Sequence, residues 1–200
     1  MSPALLVFAK APVPGTVKTR LIPQLGAEGA CSLYKQLLTH TLEHVRGWCG
    51  PGYLYCAPDG QHPFLQALAD RFGFALREQR GADLGERMAN ALAEHPDGAL
   101  LIGSDCPVLV LAHLAAAADA LVSHDTAILP SEDGGYVLIG QRSPNPAPFI
   151  DMTWSHSQVL ADTRQRLGAA HQTLWEGPTL WDVDEPRDLE RLQAVPNFGA

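Results

Sequence analysis

The chain has 200 residues, 46% of them hydrophobic and 18% charged, with a formal net charge of −8. That length suits one domain with a substantial core, and the acidic balance excludes a general electrostatic attraction to nucleic acid or to an anionic membrane surface. No run approaches the roughly 20 apolar residues of a membrane helix, and the start lacks the basic leader of a signal peptide, so a cytoplasmic protein is expected. The cysteines Cys31, Cys49, Cys56 and Cys106 form no C-x-x-C pair and no zinc spacing, which reads as free buried thiols in a reducing compartment.

Strand and helix patterns alternate along the chain. Ala4 to Ala9 reads as a first strand that runs into the loop Lys10-Ala-Pro-Val-Pro-Gly-Thr-Val-Lys-Thr-Arg20. Apolar residues at helical spacing predict a helix over 28–46. A strand at 52–57 ends in Pro58-Asp-Gly60, and a helix over 64–72 and a short strand at 74–77 follow. The next helix, 84–95, stops at Pro96-Asp-Gly98. The continuous apolar run 99–103 predicts a central parallel strand covered on both faces. An alanine-rich helix over 109–124 precedes strands at 126–130 and 136–140, joined through Glu132-Asp-Gly-Gly135. After a proline-rich loop at 143–148, Ser155 and Gln158 predict a capping box for a helix reaching Leu167. A strand at 173–175 and a helix over 186–195 close the chain. This order predicts one α/β domain over 1–200, a mostly parallel sheet sandwiched by helices.

Four islands carry the chemistry. In the first, Lys10, Lys18 and Arg20 surround a Pro/Gly loop at the end of a strand, where ligands of α/β sheets sit. Backbone N–H groups near Gly15 can approach phosphate oxygens, although Pro12, Pro14 and Gly15 are also ordinary turn residues. The second is Gly103-Ser-Asp-Cys-Pro107. Asp105 there either holds a hard divalent cation or caps the next helix. In the third, Asp133-Gly-Gly-Tyr136, the sequence reads equally as a hairpin turn and as a surface that a substrate approaches closely. In the fourth, Trp181-Asp-Val-Asp-Glu-Pro-Arg-Asp188, the carboxylates of Asp182 and Asp184 alternate along an extended segment, and Asp184 is the expected partner of Asp105 at a metal. Gln79 with Gly81 and Gly85 reads as a base-reading loop or as a helix entry capped by Asp83, and Trp154-Ser155 as an acceptor wall or as core. The eight histidines form no metal cluster or triad.

Taken in order, F-A-K-x-P-x-P-G-x-V-K-T-R-L, L-G-E-R-M, G-S-D-C-P, D-G-G-Y-x-L-I-G, W-S and D-V-D-x-P-x-D-L span Phe8 to Leu189. This set resembles the small bacterial glycosyltransferase-like proteins labelled selenodomain-associated transferases, within the nucleotide-diphospho-sugar transferase superfamily. The resemblance implies a Rossmann-like GT-A fold. It implies a nucleotide in the Phe8–Leu21 loop, with Ala9, Lys10, Pro14, Gly15, Lys18 and Arg20, and Mg²⁺ or Mn²⁺ at Asp105 and Asp184; Gln79, Gly81 and Gly85 are added as nucleotide-binding candidates on the base-reading alternative above. With that chemistry, the residue reading makes Lys18, Arg20 and Asp133 the candidate catalytic groups and Gly134, Gly135, Tyr136 and Trp154 the candidate acceptor site. The ending is similar to that of CMP-sugar synthetases, and K-T-R-L is similar to phospholactate guanylyltransferase. Two departures stand out: Glu185 replaces a usual Thr cap, and Asp105 is a lone carboxylate rather than a D-x-D pair. Glycosyl transfer from a nucleotide sugar to a small-molecule acceptor is the first expectation. Nucleotidyl transfer from a nucleoside triphosphate is the second, and nucleotide binding without turnover the third. The oligomeric state is left open.

Overall fold

The computed structural model describes residues 2–196 and 198. One seven-stranded sheet has the order β3-β2-β1-β4-β6-β5-β7. In chain order the strands are β1 (Ala4–Lys10), β2 (Gly52–Ala57), β3 (Ala75–Glu78), β4 (Ala99–Ile102), β5 (Thr126–Pro130), β6 (Tyr136–Gln141) and β7 (Leu174–Glu176). Strand β6 runs antiparallel to β4 and β5, and every other pairing is parallel. The helices are α1 (Ile22–His44), α2 (Pro63–Phe72), α3 (Leu84–Ala93), α4 (Leu111–Ala120), α5 (Val159–Ala169) and α6 (Asp188–Leu192).

Alternation along the strands sends successive side chains to opposite faces. Leu5 and Val7 pack with Leu38, Leu65 and Leu114 under α1, α2 and α4. Leu6, Leu101 and Ile139 pack with Met88, Leu92 and Leu160 under α3 and α5. Covered on both faces, β4 is buried along its whole length, as its unbroken apolar sequence requires. The architecture is therefore the mostly parallel α/β sandwich read from the sequence.

Several boundaries differ. Element α1 starts at Ile22, where Pro23 suits a first turn, but Gly26 at φ 70° breaks it, so the regular helix runs from just beyond Gly26, close to the expected start at Glu28. Ser155 forms no capping box: it lies at φ 66° and the helix starts at Val159, with no side-chain cap bond from Gln158. Helix α4 spans only Leu111–Ala120, and α6 only Asp188–Leu192. Cys31, Cys56 and Cys106 are buried free thiols, but Cys49 is exposed. Among the described residues no helix is long and apolar enough to cross a membrane.

Candidate active site

A cleft of about 840 Å³ opens at the carboxyl ends of β1 and β4, the ligand-binding edge of an α/β sheet. Its first wall is the segment after β1. Pro14 and Gly15 occupy the centre of a turn closed by the Thr16 N–H on the Val13 carbonyl, 3.1 Å, with Gly15 at φ 86°. Proline then glycine is the pair such a turn selects. Both lie outside the cleft lining, so they shape the loop rather than line the cavity. Beyond them, Lys18 takes a left-handed conformation, φ 47°, ahead of a 3-10 turn over Thr19–Leu21. A non-glycine residue there is strained, and such strain concentrates at functional sites. The backbone N–H groups of Gly15, Val17, Lys18, Thr19 and Arg20 meet no acceptor among the described residues. Free N–H groups at the start of a helical turn are a ready anion cradle.

The two loop cations differ. The Lys18 side chain is 4% exposed; its ammonium sits 2.8 Å from Asp105 and also donates to the Val183 carbonyl. Arg20 is 58% exposed and pairs with Asp184. Lys10 is exposed at the end of β1, and its backbone N–H donates to the Tyr34 hydroxyl, 2.7 Å. Tyr34 reaches this point from α1, and burial pushes its phenol well above the ordinary range.

Asp105 does not cap α4: the N-cap is Val110, whose N–H donates to the His113 side chain. Its carboxylate instead accepts from Lys18 and from the Ser104 hydroxyl, 3.2 Å. Asp182 accepts from the Ser131 hydroxyl, 2.8 Å. Burial first, and then the nearby Asp133 and Asp105, push its carboxyl up to about 6, against the lowering effects of the Ser131 hydrogen bond and the Lys18 charge. Asp133 closes the β5–β6 hairpin by accepting the Gly135 N–H, 2.9 Å, so the turn reading of this island holds. These groups bear on the implied divalent cation. Among the described residues no three His, Cys, Asp or Glu side chains are grouped to hold an ion. Two crowded carboxylates completed by phosphate oxygens are nevertheless a normal Mg²⁺ environment. The oxygen donors of Asp105 and Asp182 suit such an ion in kind, and Asp184, the expected partner of Asp105, is paired with Arg20.

Of the remaining expected site residues, Ala9, Gln79, Gly135, Tyr136 and Trp154 line the cleft. The Gln79 amide N–H groups are taken by the carbonyls of Ala9, 3.0 Å, and Tyr55, 2.9 Å, so only its side-chain oxygen remains for a ligand. Three glycines depart from expectation for steric reasons. Gly85 is buried, and a Cβ on it would stand 2.9 Å from the Trp154 indole and from the Phe149 carbonyl. Gly134, at φ 89°, packs on Ser157, and Gly81, at φ 143°, packs on Glu86 and Arg87. These three serve chain packing rather than ligand approach. Ser131 and Tyr34 carry no role in the sequence reading, and Gly103 and Ser104 enter it only as neighbours of Asp105, yet all four line the cleft. The signal for Gly103 was present, since a glycine ends the apolar run of β4; Ser131 and Tyr34 sit in segments that read only as strand end and helix.

Comparison with known proteins places this geometry. No curated protein matches the chain. A Desulfovibrio desulfuricans protein provisionally named a nucleotide-diphospho-sugar transferase superposes with a TM-score of 0.88 at 30% identity, covering 100% of this chain and 90% of its own. A cytidylyltransferase from Leptospira borgpetersenii shares the fold at TM-score 0.64 and 14% identity, over 96% of this chain and 86% of its own. So does glucosyl-3-phosphoglycerate synthase from Mycobacterium tuberculosis, solved with Mn²⁺, uridine diphosphate and glucosyl-3-phosphoglycerate, at TM-score 0.55 and 12% identity over 96% and 75%. The fold is that of the nucleotide-diphospho-sugar transferases. The family model described as "Uncharacterized protein conserved in bacteria (DUF2064)" matches residues 41–156, more than half the chain, and the chain belongs to that family.

Proposed function

We propose that the protein is a transferase that takes a nucleotide-activated donor, most readily a nucleotide sugar, and passes the activated group to a small-molecule acceptor, with residues 1–200 acting as one catalytic domain. The observation that carries this reading is a single cleft in which free N–H groups, Lys18 and Arg20 stand opposite Asp105, Asp133 and Asp182. The 30% identical Desulfovibrio relative bears the name of this class. The buried free thiols suit a reducing compartment, and we assign the reaction to the cytoplasm.

The donor's phosphates would replace Asp184 at the Arg20 guanidinium, whose planar fork matches phosphate oxygens. They would bind the N–H groups of Val17, Lys18, Thr19 and Arg20 while Lys18 supplies a fixed positive charge. Asp105 and Asp182 would hold Mg²⁺ or Mn²⁺, which when bound neutralises charge on the departing nucleoside diphosphate; Asp184 can substitute for Asp182 only once Arg20 has turned to phosphate. The Gln79 oxygen is left to meet the base. Asp133, exposed and with one oxygen on the Gly135 N–H, is placed to take a proton from an acceptor hydroxyl. Gly135, Tyr136 and Trp154 border the acceptor.

One feature favours nucleotidyl transfer as the second reading: the loop brings two cations to the phosphates, while Asp105 is a lone carboxylate. The products separate the two. The protein is incubated with a panel of nucleotide sugars and nucleoside triphosphates, with Mg²⁺ or Mn²⁺ and pooled small-molecule acceptors. Release of nucleoside diphosphate supports glycosyl transfer, whereas pyrophosphate replaces it with nucleotidyl transfer. Metal-dependent nucleotide binding with neither product would leave a binding protein, and no binding would sink the transferase reading.

A further inference from the structure

The strand order β3-β2-β1-β4 reverses direction between β1 and β4, and a crevice opens at such a point beyond the carboxyl ends of the strands. Pairing of β1 with β4 stops at Val7 and Ile102, and the Gly103 N–H turns to the Val137 carbonyl, 3.4 Å. Strand β1 runs on to Lys10, paired there with β2. Its N–H groups alternate in direction: those of Leu5 and Ala11 face the β2 side, and that of Ala4 faces the Gly98 carbonyl on the β4 side. By the same alternation the Lys10 N–H points into the gap that β4 leaves, where an unpaired N–H is costly. The Tyr34 hydroxyl accepts it at 2.7 Å.

Tyr34 is 4% exposed yet lines the cleft. Burial raises its phenol above the ordinary range, so it keeps a proton to donate. The Ser104 side chain bonds the same phenol, and the Asp105 charge acts on it. The Ser104 hydroxyl in turn donates to the Asp105 carboxylate, 3.2 Å. The bonds thus run one way, from the Lys10 N–H through Tyr34 and Ser104 to the carboxylate, and bonds in such a chain strengthen one another. Other side chains of α1 grip the main chain of the same two loops. Cys31 donates to the Pro12 carbonyl, 3.1 Å, Thr41 donates to the Ser104 carbonyl, 3.4 Å, and the His40 ring meets the Pro107 carbonyl, 2.9 Å. Those contacts hold backbone, whereas the Tyr34 chain ends on a side chain of the site.

Resting on the transferase reading above, we infer that Tyr34 is a positioning residue for the donor site. It fills the place of the departed strand and, through Ser104, fixes where the Asp105 carboxylate stands relative to the loop after β1. Tyr34→Phe removes the hydroxyl and keeps the ring in the core. The full chain is titrated by calorimetry with ADP, CDP, GDP and UDP, each with and without Mg²⁺. For the tightest of the four, Tyr34→Phe should weaken binding about tenfold with Mg²⁺ and at most about threefold without it. A tyrosine that only supports the fold would weaken both alike. Ser104→Ala should reproduce the loss, and the double variant should lose no more than either single one. Additive losses, or equal losses with and without Mg²⁺, would overturn the inference. Amide exchange followed by NMR needs no ligand. Lys10, which loses its acceptor, and Val183, whose N–H donates to the Asp105 carbonyl at 2.9 Å, should both exchange about tenfold faster in Tyr34→Phe, while α5 keeps its rates. An unchanged Val183 would mean that Tyr34 holds β1 alone, which also overturns the inference. Failure of the transferase reading looks different: the wild-type chain shows no Mg²⁺-dependent nucleotide binding, and the exchange rates still decide whether Tyr34 joins the two strand ends.

Discussion

The two walls of the cleft are built in opposite ways. The wall we propose for the donor is one continuous stretch, Lys10 to Leu21, that leaves β1 and carries Lys10, Lys18, Arg20 and the free N–H groups. The wall we propose for the acceptor is assembled from three separate stretches, around 131–136, 154–157 and 181–187. Cross-links join them: Ser131 to Asp182 at 2.8 Å, the Leu160 N–H to the Gly134 carbonyl at 2.8 Å, and the Glu132 N–H to the Leu180 carbonyl at 2.9 Å. Arg191 adds a two-point ion pair with Glu132 and lies over the Trp181 ring at 4.3 Å. A continuous wall tolerates local damage because its ends are fixed by β1 and α1. An assembled wall fails as a unit when one joint is forced open.

The largest effect should come from forcing such a joint. A Cβ on Gly134 would stand 2.0 Å from the Ser157 carbonyl oxygen, and the residue sits at φ 89°. Left-handed strain and the backbone clash add, so Gly134→Ala should cost about 3 kcal/mol or more. Urea denaturation measures the loss, and a drop below about 1 kcal/mol would show that the acceptor wall yields more easily than its packing implies. Gly15→Ala on the donor wall is the control. It has similar strain at φ 86° but nothing within 4 Å, so its cost should stay near 1 kcal/mol.

The donor wall depends instead on one buried cation. Lys18→Met leaves Asp105 without its partner and the Val183 carbonyl without its donor. Breaking a buried pair from one side costs about 3–5 kcal/mol, but Asp105 is 41% exposed and water relieves part of that, so about 2 kcal/mol is expected. The double variant Lys18→Met with Asp105→Asn should recover half or more, because no stranded charge remains. Equal stability of the single and double variants would mean that Lys18 holds the wall through Val183 alone.

The same contrast explains what was readable in the sequence. The basic loop is visible because Lys10, Pro14, Gly15, Lys18 and Arg20 lie within eleven residues at the end of a strand. The sheet was visible because period-two and period-3.6 patterns alternate cleanly from Ala4 to Leu167. Two pairings were not legible: Asp182 with Ser131, and Lys18 with Val183. They join residues 51 and 165 positions apart, and no local pattern encodes which of Asp182 and Asp184 turns inward. Glycines were ambiguous for the same reason. Gly85, Gly103 and Gly134 look alike in sequence, but one admits an indole, one leaves a void and one avoids a carbonyl.

Asp182 is the smallest and most discriminating case, because it lies where the two walls meet. Its carboxyl is raised to about 6 in the folded state, by burial first and then by Asp133 and Asp105, against about 3.9 in an unfolded chain. A raised pKa means that the folded state binds the proton more tightly. The stabilising contribution is therefore full below about pH 4 and is lost as pH climbs through about 6. At pH 7.5 the wild-type protein carries a charge that its surroundings disfavour. Asp182→Asn keeps an oxygen for the Ser131 hydroxyl and removes that charge, so in metal-free buffer it should be more stable by about 1 kcal/mol at pH 7.5, the residue being partly exposed. At pH 4 the two proteins should melt together, since the wild-type group is then protonated. The same variant should weaken Mg²⁺-dependent nucleotide binding, which separates a carboxylate kept for a ligand from one kept for the fold. A variant less stable than wild type at pH 7.5 would show instead that Asp182 holds the acceptor wall as an ionised acceptor for Ser131, leaving Asp184, once released by Arg20, to join Asp105 at the metal.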